Sequence, residues 1–420
     1  MTVRDIILTQ QRDLRRMLAE TYLERDTTVN GPTDTSLIQV IIGPRRAGKS
    51  FFAIHHLDGG RNFGYVNFDD ERLCGLADYD EIIAAVDAVY EKPKALLLDE
   101  VQNLPKWELF VNRLARQGYS LTITGSNSHL LSTELATHLT GRHLQTPILP
   151  FSFAEYLKLS PHELTTQEKA AALPDYAKSG GYPEPLVKKF SGQNYLATLF
   201  DSIVYKDIVK RFRIRSVQGI EDLCLYLLSN IASEYSFGSL ARITKSKSPV
   251  TVQKYLGYLE EAFLFFSIPR FSFKVREQVA ANKKVYVTDT GFVDAKAFRV
   301  SENRKKLYEN LVAIALWKIQ LAGNASIYYW KNPQQEEVDF VLKQGSSITA
   351  LIQVCSDLQD EKTRSREVRA LLKASRELGC DNLLILSERE EKTEVAEWFG
   401  VTGTIRYIPL WKWLESPVIG

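Results

Sequence analysis

An apolar run from Leu37 to Ile42 feeds straight into Gly43-Pro44-Arg45-Arg46-Ala47-Gly48-Lys49-Ser50, and an apolar helix start (Phe51, Phe52, Ile54) follows at once. A strand, a G-x-x-x-x-G-K-[ST] loop and a helix in that order leave the chain few folds to choose from. Such a loop curls so that successive backbone N–H groups, and the N-terminus of the next helix, point at phosphate oxygens. Glycines let the backbone come that close, Lys49 reaches the β- and γ-phosphates, and the Ser50 hydroxyl is placed to ligand Mg2+. Residues 43–51 are therefore the expected site for a nucleoside triphosphate, ATP with Mg2+.

A second apolar run, Ala95-Leu96-Leu97-Leu98, ends in Asp99-Glu100. A central parallel strand that delivers carboxylates to its C-terminal edge has this form. Asp99 is expected to hold Mg2+ through water, and Glu100 to polarise the water that attacks the γ-phosphate. A third strand, Ser120–Thr124, ends in Gly125-Ser126-Asn127, and Asn127 could sense the γ-phosphate from a strand between the other two. With Phe63–Phe68 and His143–Leu149 these make five strands of a parallel α/β sheet with helices between them.

The chain has 420 residues, 45% apolar and 25% charged, enough for several domains with their own cores. A formal net charge of +2 excludes a uniformly basic, histone-like protein, so nucleic-acid contacts must come from local patches. Cys74, Cys224, Cys355 and Cys380 lack C-x-x-C spacing, which argues against zinc or a disulfide framework and fits a reducing cytoplasm. With no apolar leader-like segment and no 18-residue apolar run, neither secretion nor a membrane span is expected.

Several further motifs carry a resemblance. They are Tyr65-Val66-Asn67-Phe68-Asp69-Asp70, Leu98-Asp99-Glu100-Val101-Gln102, Thr124-Gly125-Ser126-Asn127, Leu139-Thr140-Gly141-Arg142, Pro150-Phe151-Ser152-Phe153-Ala154-Glu155-Tyr156 and Ser179-Gly180-Gly181-Tyr182-Pro183-Glu184-Pro185. In this order they resemble the AAA+-type P-loop ATPases, and more narrowly the archaeal and bacterial ATPases with a C-terminal domain of unknown function. The resemblance implies ATP hydrolysis and a homo-oligomer, with a ring as one form it could take. It also makes Arg142 a candidate arginine finger, in cis or in trans. Gly181-Tyr182-Pro183 resembles a turn whose proline packs near adenine; a proline can equally just shape a turn.

Beyond Gln193 the pattern changes. Helices at Glu221–Ala232, Phe237–Ile243 and Val250–Glu261, then strands near Leu264–Pro269 and Lys284–Thr288, follow a winged-helix order. Lys254 on the third helix and Arg270, Lys274, Arg276, Lys283 and Lys284 on the wing are the expected contacts to duplex DNA, largely independent of sequence. Such modules also serve as protein–protein spacers.

The last third, with Glu309 on a helix, Asp339 on a strand and Gln353-Val354-Cys355 on the next, resembles a PD-(D/E)xK nuclease fold. That resemblance implies Mg2+ on the first two acids. Gln353 and Cys355 replace the third acid and the lysine, so a nuclease-like scaffold without cleavage is expected.

The expected segments are 1–30 (N-terminal helical), 31–158 (ATPase core), 159–215 (helical lid and basic helix), 216–298 (winged helix) and 299–420 (degenerate nuclease-like). Three readings stay open: a DNA-remodelling motor (translocation or branch migration), a STAND-type nucleotide-gated protein switch, and an ATP-dependent nuclease.

Overall fold

The structure, a computed structural model, describes residues 2–27, 29, 37–58, 62–126, 142–246, 248–297, 304–356, 358 and 360–417. It divides into two compact units, Met1–Pro150 with Glu261–Phe263, and Phe151–Glu260 with Leu264–Gly420.

In the first unit, β1 (Ile38–Ile42), β2 (Phe63–Asn67), β3 (Ala95–Asp99), β4 (Ser120–Gly125) and β5 (His143–Pro147) form one sheet in the order β2-β3-β4-β1-β5. Every pairing is parallel. The apolar runs explain this: β1 and β3 are buried along their whole length, as strands covered on both faces must be. Strand β4 lies between β1 and β3, as expected, and pairs Ile42 with Gly125 and Leu98 with Ile123. That register brings the ends of β1, β3 and β4 together at one edge, with the phosphate loop leading into the helix Lys49–Asp58.

Two devices fix this edge. Gly43 has φ +149°, and a Cβ there would stand 1.9 Å from the carbonyl oxygen of Ile148, so no other residue fits. At the far side of the sheet the N-terminal helix Val3–Ala19, started by a Thr2–Asp5 capping box, lends Gln10 to strand β2. The Gln10 amide donates to the Asn67 carbonyl and its oxygen accepts from the Asn67 N–H, both at 3.0 Å. A side chain thus closes an edge that another strand would otherwise pair with.

In the second unit, helices Phe153–Leu157, Thr166–Ser179, Pro183–Lys188 and Gly192–Ser202 come first, and the last runs on as a π-helix over Ile203–Lys210. The segment that follows is helix Val217–Ser229, β6 (Ser233–Tyr235), helices Phe237–Ile243 and Pro249–Glu261, β7 (Phe265–Pro269) and β8 (Lys283–Val287); the three helices and the last two strands are where expected, and β6 is an addition. The three strands pair antiparallel as β6-β8-β7. Between β7 and β8 lies a short helix, Val275–Ala280, that the basic, irregular sequence there did not suggest.

The remainder is helix Arg304–Leu321, β9 (Ser326–Lys331), β10 (Glu337–Gln344), β11 (Ser347–Cys355), helix Glu361–Leu378 and β12 (Leu383–Ser387), as expected. A further hairpin, β13 (Lys392–Trp398) and β14 (Val401–Pro409), extends the sheet to β13-β14-β12-β11-β10-β9. This sheet and the three-stranded one belong to the same unit. Phe271 N–H donates to the Tyr329 carbonyl at 2.7 Å, Asn310 exchanges two hydrogen bonds with the backbone of Val287, and Phe266 stacks on Trp317 at 4.3 Å.

The turn before Pro183 is anchored from a distance in sequence. Buried Asp289 accepts the N–H of Gly181 at 2.7 Å and that of Gly291 at 2.9 Å, and a Cβ on Gly180 would fall 1.9 Å from its Oδ1. Burial pushes the Asp289 carboxyl up to about 7, against the opposing pull of the two N–H bonds.

Two predictions follow from this packing. Gln10→Ala should destabilise the first unit by roughly 1–3 kcal/mol, since it unpairs two backbone groups of a buried edge strand; an unchanged urea midpoint would count against the edge-closing role. For Asp289, the folded state holds its proton to higher pH than the unfolded chain. Its contribution is thus complete below about pH 4 and is lost as the pH rises towards 7. Asp289→Asn mimics the protonated acid, so urea unfolding should show the variant gaining on the wild type by on the order of 3 kcal/mol between pH 4 and 8. A difference that stays constant with pH would contradict this.

Candidate nucleotide site and the buried acidic cluster

The end of β3 gathers the expected residues. Asp99 is buried and accepts from three hydroxyls: Ser50 at 2.8 Å and Thr124 at 2.5 Å on Oδ1, and Tyr65 at 3.1 Å on Oδ2. Burial, then the neighbouring Glu100 charge, raises the Asp99 carboxyl to about 6 despite these bonds. Glu100 follows with φ 50°, a left-handed conformation rare for a non-glycine residue, and its N–H donates to Thr124 Oγ1 at 3.0 Å. Burial opposes ionisation of Glu100. The Lys49 ammonium and the hydrogen bonds from Gln102 and Ser126 outweigh it and hold the carboxyl below its usual range.

Lys49 is buried, with Nζ 3.0 Å from the Pro44 carbonyl oxygen and 3.6 Å from Glu100 Oε1. Such a cation, held by one carbonyl and one acid at the mouth of a glycine cradle, suits a phosphate that would displace the carbonyl. The Ser50 hydroxyl on Asp99 is the pair that would hold Mg2+, so the donors fit the metal that the loop implies. Around them, Gly43, Pro44 and Ala47 are buried, Gly48 adopts φ 92°, and Arg46 is exposed at φ 65°. Arg45 and Phe51 are half-buried.

Three site residues were not singled out from the sequence. Thr124 and Tyr65 orient Asp99, and both lay within quoted motifs without a signal of their role. Arg25 is nearly buried and donates to the carbonyls of Ala47 at 3.0 Å and Leu149 at 2.6 Å, tying the phosphate loop to the end of β5. It sits in a segment without periodicity, so nothing in the sequence marked it. Asn127 and the Leu139-Thr140-Gly141 part of the arginine motif lie outside the described residues. Arg142 itself is exposed, and its carbonyl accepts the Ile38 N–H at 3.0 Å. Pro183 opens the helix Pro183–Lys188 in the second unit.

The expected wing needs correction at Lys284. It is not a phosphate contact: its side chain is 3% exposed, and Nζ lies 2.8 Å from Glu309 Oε1, 2.5 Å from Glu337 Oε1 and 3.3 Å from Asp339 Oδ1. The residue faces inward because β8 alternates, and its inner face meets the helix that carries Glu309. Arg270 also turns inward in part, with its guanidinium on the Lys331 carbonyl. Lys274 is exposed and paired with Glu277 at 2.9 Å, Lys254 and Arg276 are exposed, and Lys283 is half-buried.

Glu309 and Asp339 do meet, as the nuclease-like pattern suggested, on that same ammonium. Burial, and then the Asp339 charge, push the Glu309 carboxyl up. Gln353 lies inside the cluster's wall: its oxygen accepts the Asp339 N–H at 3.1 Å and its amide donates to Glu367. Cys355 is buried in the apolar core of the sheet. Both positions are given over to packing.

Family models match at residues 35–157 (AAA domain), 170–303 (a domain of unknown function, DUF8612) and 304–413 (a domain of unknown function, DUF4143). The uncharacterized protein MJ1544 of Methanocaldococcus jannaschii is 34% identical over 402 residues, covering 90% of this chain and 88% of its own. An uncharacterized protein of Haemophilus influenzae is 28% identical over 384 residues, covering 86% and 92%. Similar solved structures include AMPPCP-bound DnaA from Aquifex aeolicus, at 16% identity over 60% of this chain and 86% of that one, with a TM-score of 0.25. Cdc6p from Pyrobaculum aerophilum is 12% identical over 75% and 93%, with a TM-score of 0.24. At such scores neither likeness bears on function. The 34% identity along most of both chains does decide the family: residues 35–157 are an AAA domain, and the chain belongs to the family of MJ1544.

Proposed function

We propose that the chain is a Mg2+-dependent ATPase whose second unit engages DNA. The observation that carries the ATPase reading is the convergence at β3: Ser50, Thr124 and Tyr65 on Asp99, with Lys49 and Glu100 facing each other 3.6 Å apart. Mg2+ held through Ser50 and Asp99 would offset charge on the β- and γ-phosphates. Lys49 exchanges the Pro44 carbonyl for phosphate oxygens. Glu100, kept ionised by Lys49 and oriented by Gln102 and Ser126, takes up the proton of the attacking water. Arg142, exposed beside the start of β1, is the arginine we assign to transition-state charge, in cis or from a neighbouring subunit; an arginine finger is typically worth ~10³–10⁵ in rate.

The DNA reading rests on the exposed cations Lys254, Lys274 and Arg276, helped by Lys283, in a segment with winged-helix element order. A remodelling role such as translocation or branch migration is the form we favour. One observation supports the alternative, a nucleotide-gated protein switch of the STAND type: Phe273, Val275 and Val279, between β7 and β8, are 70–75% exposed. Apolar side chains there suit a protein surface better than a phosphate backbone.

Three measurements test these readings. Lys49→Ala should abolish ATP binding, whereas Glu100→Gln should retain binding and lose turnover by a factor of about 10² or more; equal loss of binding in both would remove Glu100 from catalysis. Mixing Arg142→Ala with Lys49→Ala subunits should recover part of the activity if the arginine acts in trans, and no recovery despite subunit exchange would exclude that. Finally, duplex or branched DNA at low salt should accelerate hydrolysis. A rate indifferent to DNA, with no DNA binding at low salt, would favour the switch.

A further inference from the structure

A lysine ammonium has three N–H donors. That of Lys284 lies among three carboxylates, Glu309 of helix Arg304–Leu321 and Glu337 and Asp339 of β10: it donates to Glu309 Oε1 at 2.8 Å and to Asp339 Oδ1 at 3.3 Å, and Glu337 Oε1 is 2.5 Å away as an ion pair. The acids are themselves held in place: Tyr286 donates to Glu309 Oε1 at 2.8 Å, and the Val354 N–H donates to Asp339 Oδ2 at 2.9 Å. Glu337 is 27% exposed, so the cluster lies at the edge of the solvent and not deep in the core.

We propose that Lys284 is a resident cation: its ammonium stands where a divalent ion would stand among Glu309, Glu337 and Asp339, and strand β8 thereby closes the site to metal. Carboxylate oxygens bind Mg2+, Mn2+ or Ca2+ at about 2.0–2.6 Å. At 2.8 and 2.5 Å from Nζ the Glu309 and Glu337 oxygens stand near that range, whereas the Asp339 oxygen at 3.3 Å would have to move in and waters would supply the rest of the shell. Among the described residues no group of three or more His, Cys, Asp or Glu side chains is arranged to hold a metal ion.

The geometry also sets the order of obstacles to cleavage chemistry. Gln353 and Cys355 remove a ligand and a cation at the third motif, but occupancy by Lys284 comes first, because it excludes the metal itself. The same contact ties β8 to the helix of Glu309, so the plug is a structural element as well as a barrier. Removing one member of such a buried pair leaves the others uncompensated, and a new cation is the available compensation.

The test is Mn2+ binding by the full chain without nucleotide, followed by electron paramagnetic resonance of the free ion and by thermal unfolding. Wild-type protein should show no Mn2+ site that Asp339→Asn removes. Lys284→Met, which keeps the length of the side chain and deletes the charge, should gain one site, with a rise in Tm of several degrees once Mn2+ exceeds its Kd about 100-fold. Adding Asp339→Asn to Lys284→Met should abolish both. A folded Lys284→Met protein indifferent to Mn2+ would overturn the proposal, as would a wild-type site lost in Asp339→Asn. If Lys284→Met does not fold, Gln353→Glu with Cys355→Lys decides the matter with Lys284 in place. That variant should neither bind Mn2+ at this cluster nor cut linear or four-way-junction DNA, and metal-dependent cleavage by it would refute the plug.

Discussion

One carboxylate organises the nucleotide end of the first unit. Asp99 can gather hydroxyls from Ser50, Thr124 and Tyr65 only because parallel pairing puts β1, β3 and β4 in register at their C-terminal ends. Burial makes the charge costly, and the three donors offset part of that cost without removing it, which leaves the acid poised for a stronger partner. Lys49 is in a matching condition on the opposite wall, held by a backbone carbonyl and by Glu100. The close approach of Gly43 to Ile148 and the Arg25 clamp keep the loop in its shape.

The second unit solves a different electrostatic problem. It buries several acids on facing elements and meets them with lysines from its own chain, Lys284 foremost, while Lys305 lies 3.2 Å from Glu367. Polar contacts of this kind fix which strand faces which helix. The Asn310 bonds to Val287 do the same with neutral groups. The three-stranded sheet and the C-terminal sheet lie in one compact unit, with β8 joined to the helix of Glu309 through Lys284.

Much of this was legible in the sequence for physical reasons. Strands buried on both faces leave continuous apolar runs, and the phosphate loop has a fixed spacing, so β1 to β5 and the gathering of Lys49, Ser50, Asp99 and Glu100 at one edge could be read directly. The convergence of Glu309 and Asp339 was readable through element order. Lys284 was misread because a lysine in a basic stretch looks solvated, and only the alternation of β8 decides that it points inward. Hairpin β13–β14 was not read from the sequence: β13 is polar and buries no residue, although β14 does alternate, burying Ile405 and Tyr407. Arg25 depends on tertiary contacts that leave no periodic trace, and helix Val275–Ala280 buries no residue, so no apolar face marked it.

The central claim is that Lys49, Ser50, Asp99 and Glu100 form an ATP and Mg2+ site held ready by its own hydrogen bonds. A crystal structure of the full chain with a non-hydrolysable ATP analogue and Mg2+ tests it most directly. The account predicts that Lys49 Nζ leaves the Pro44 carbonyl for the β- and γ-phosphates, that Ser50 Oγ turns from Asp99 to the metal, and that Glu100 faces the water in line with the γ-phosphate. Nucleotide bound elsewhere, with Lys49 still on Pro44 and Ser50 still on Asp99, would contradict it.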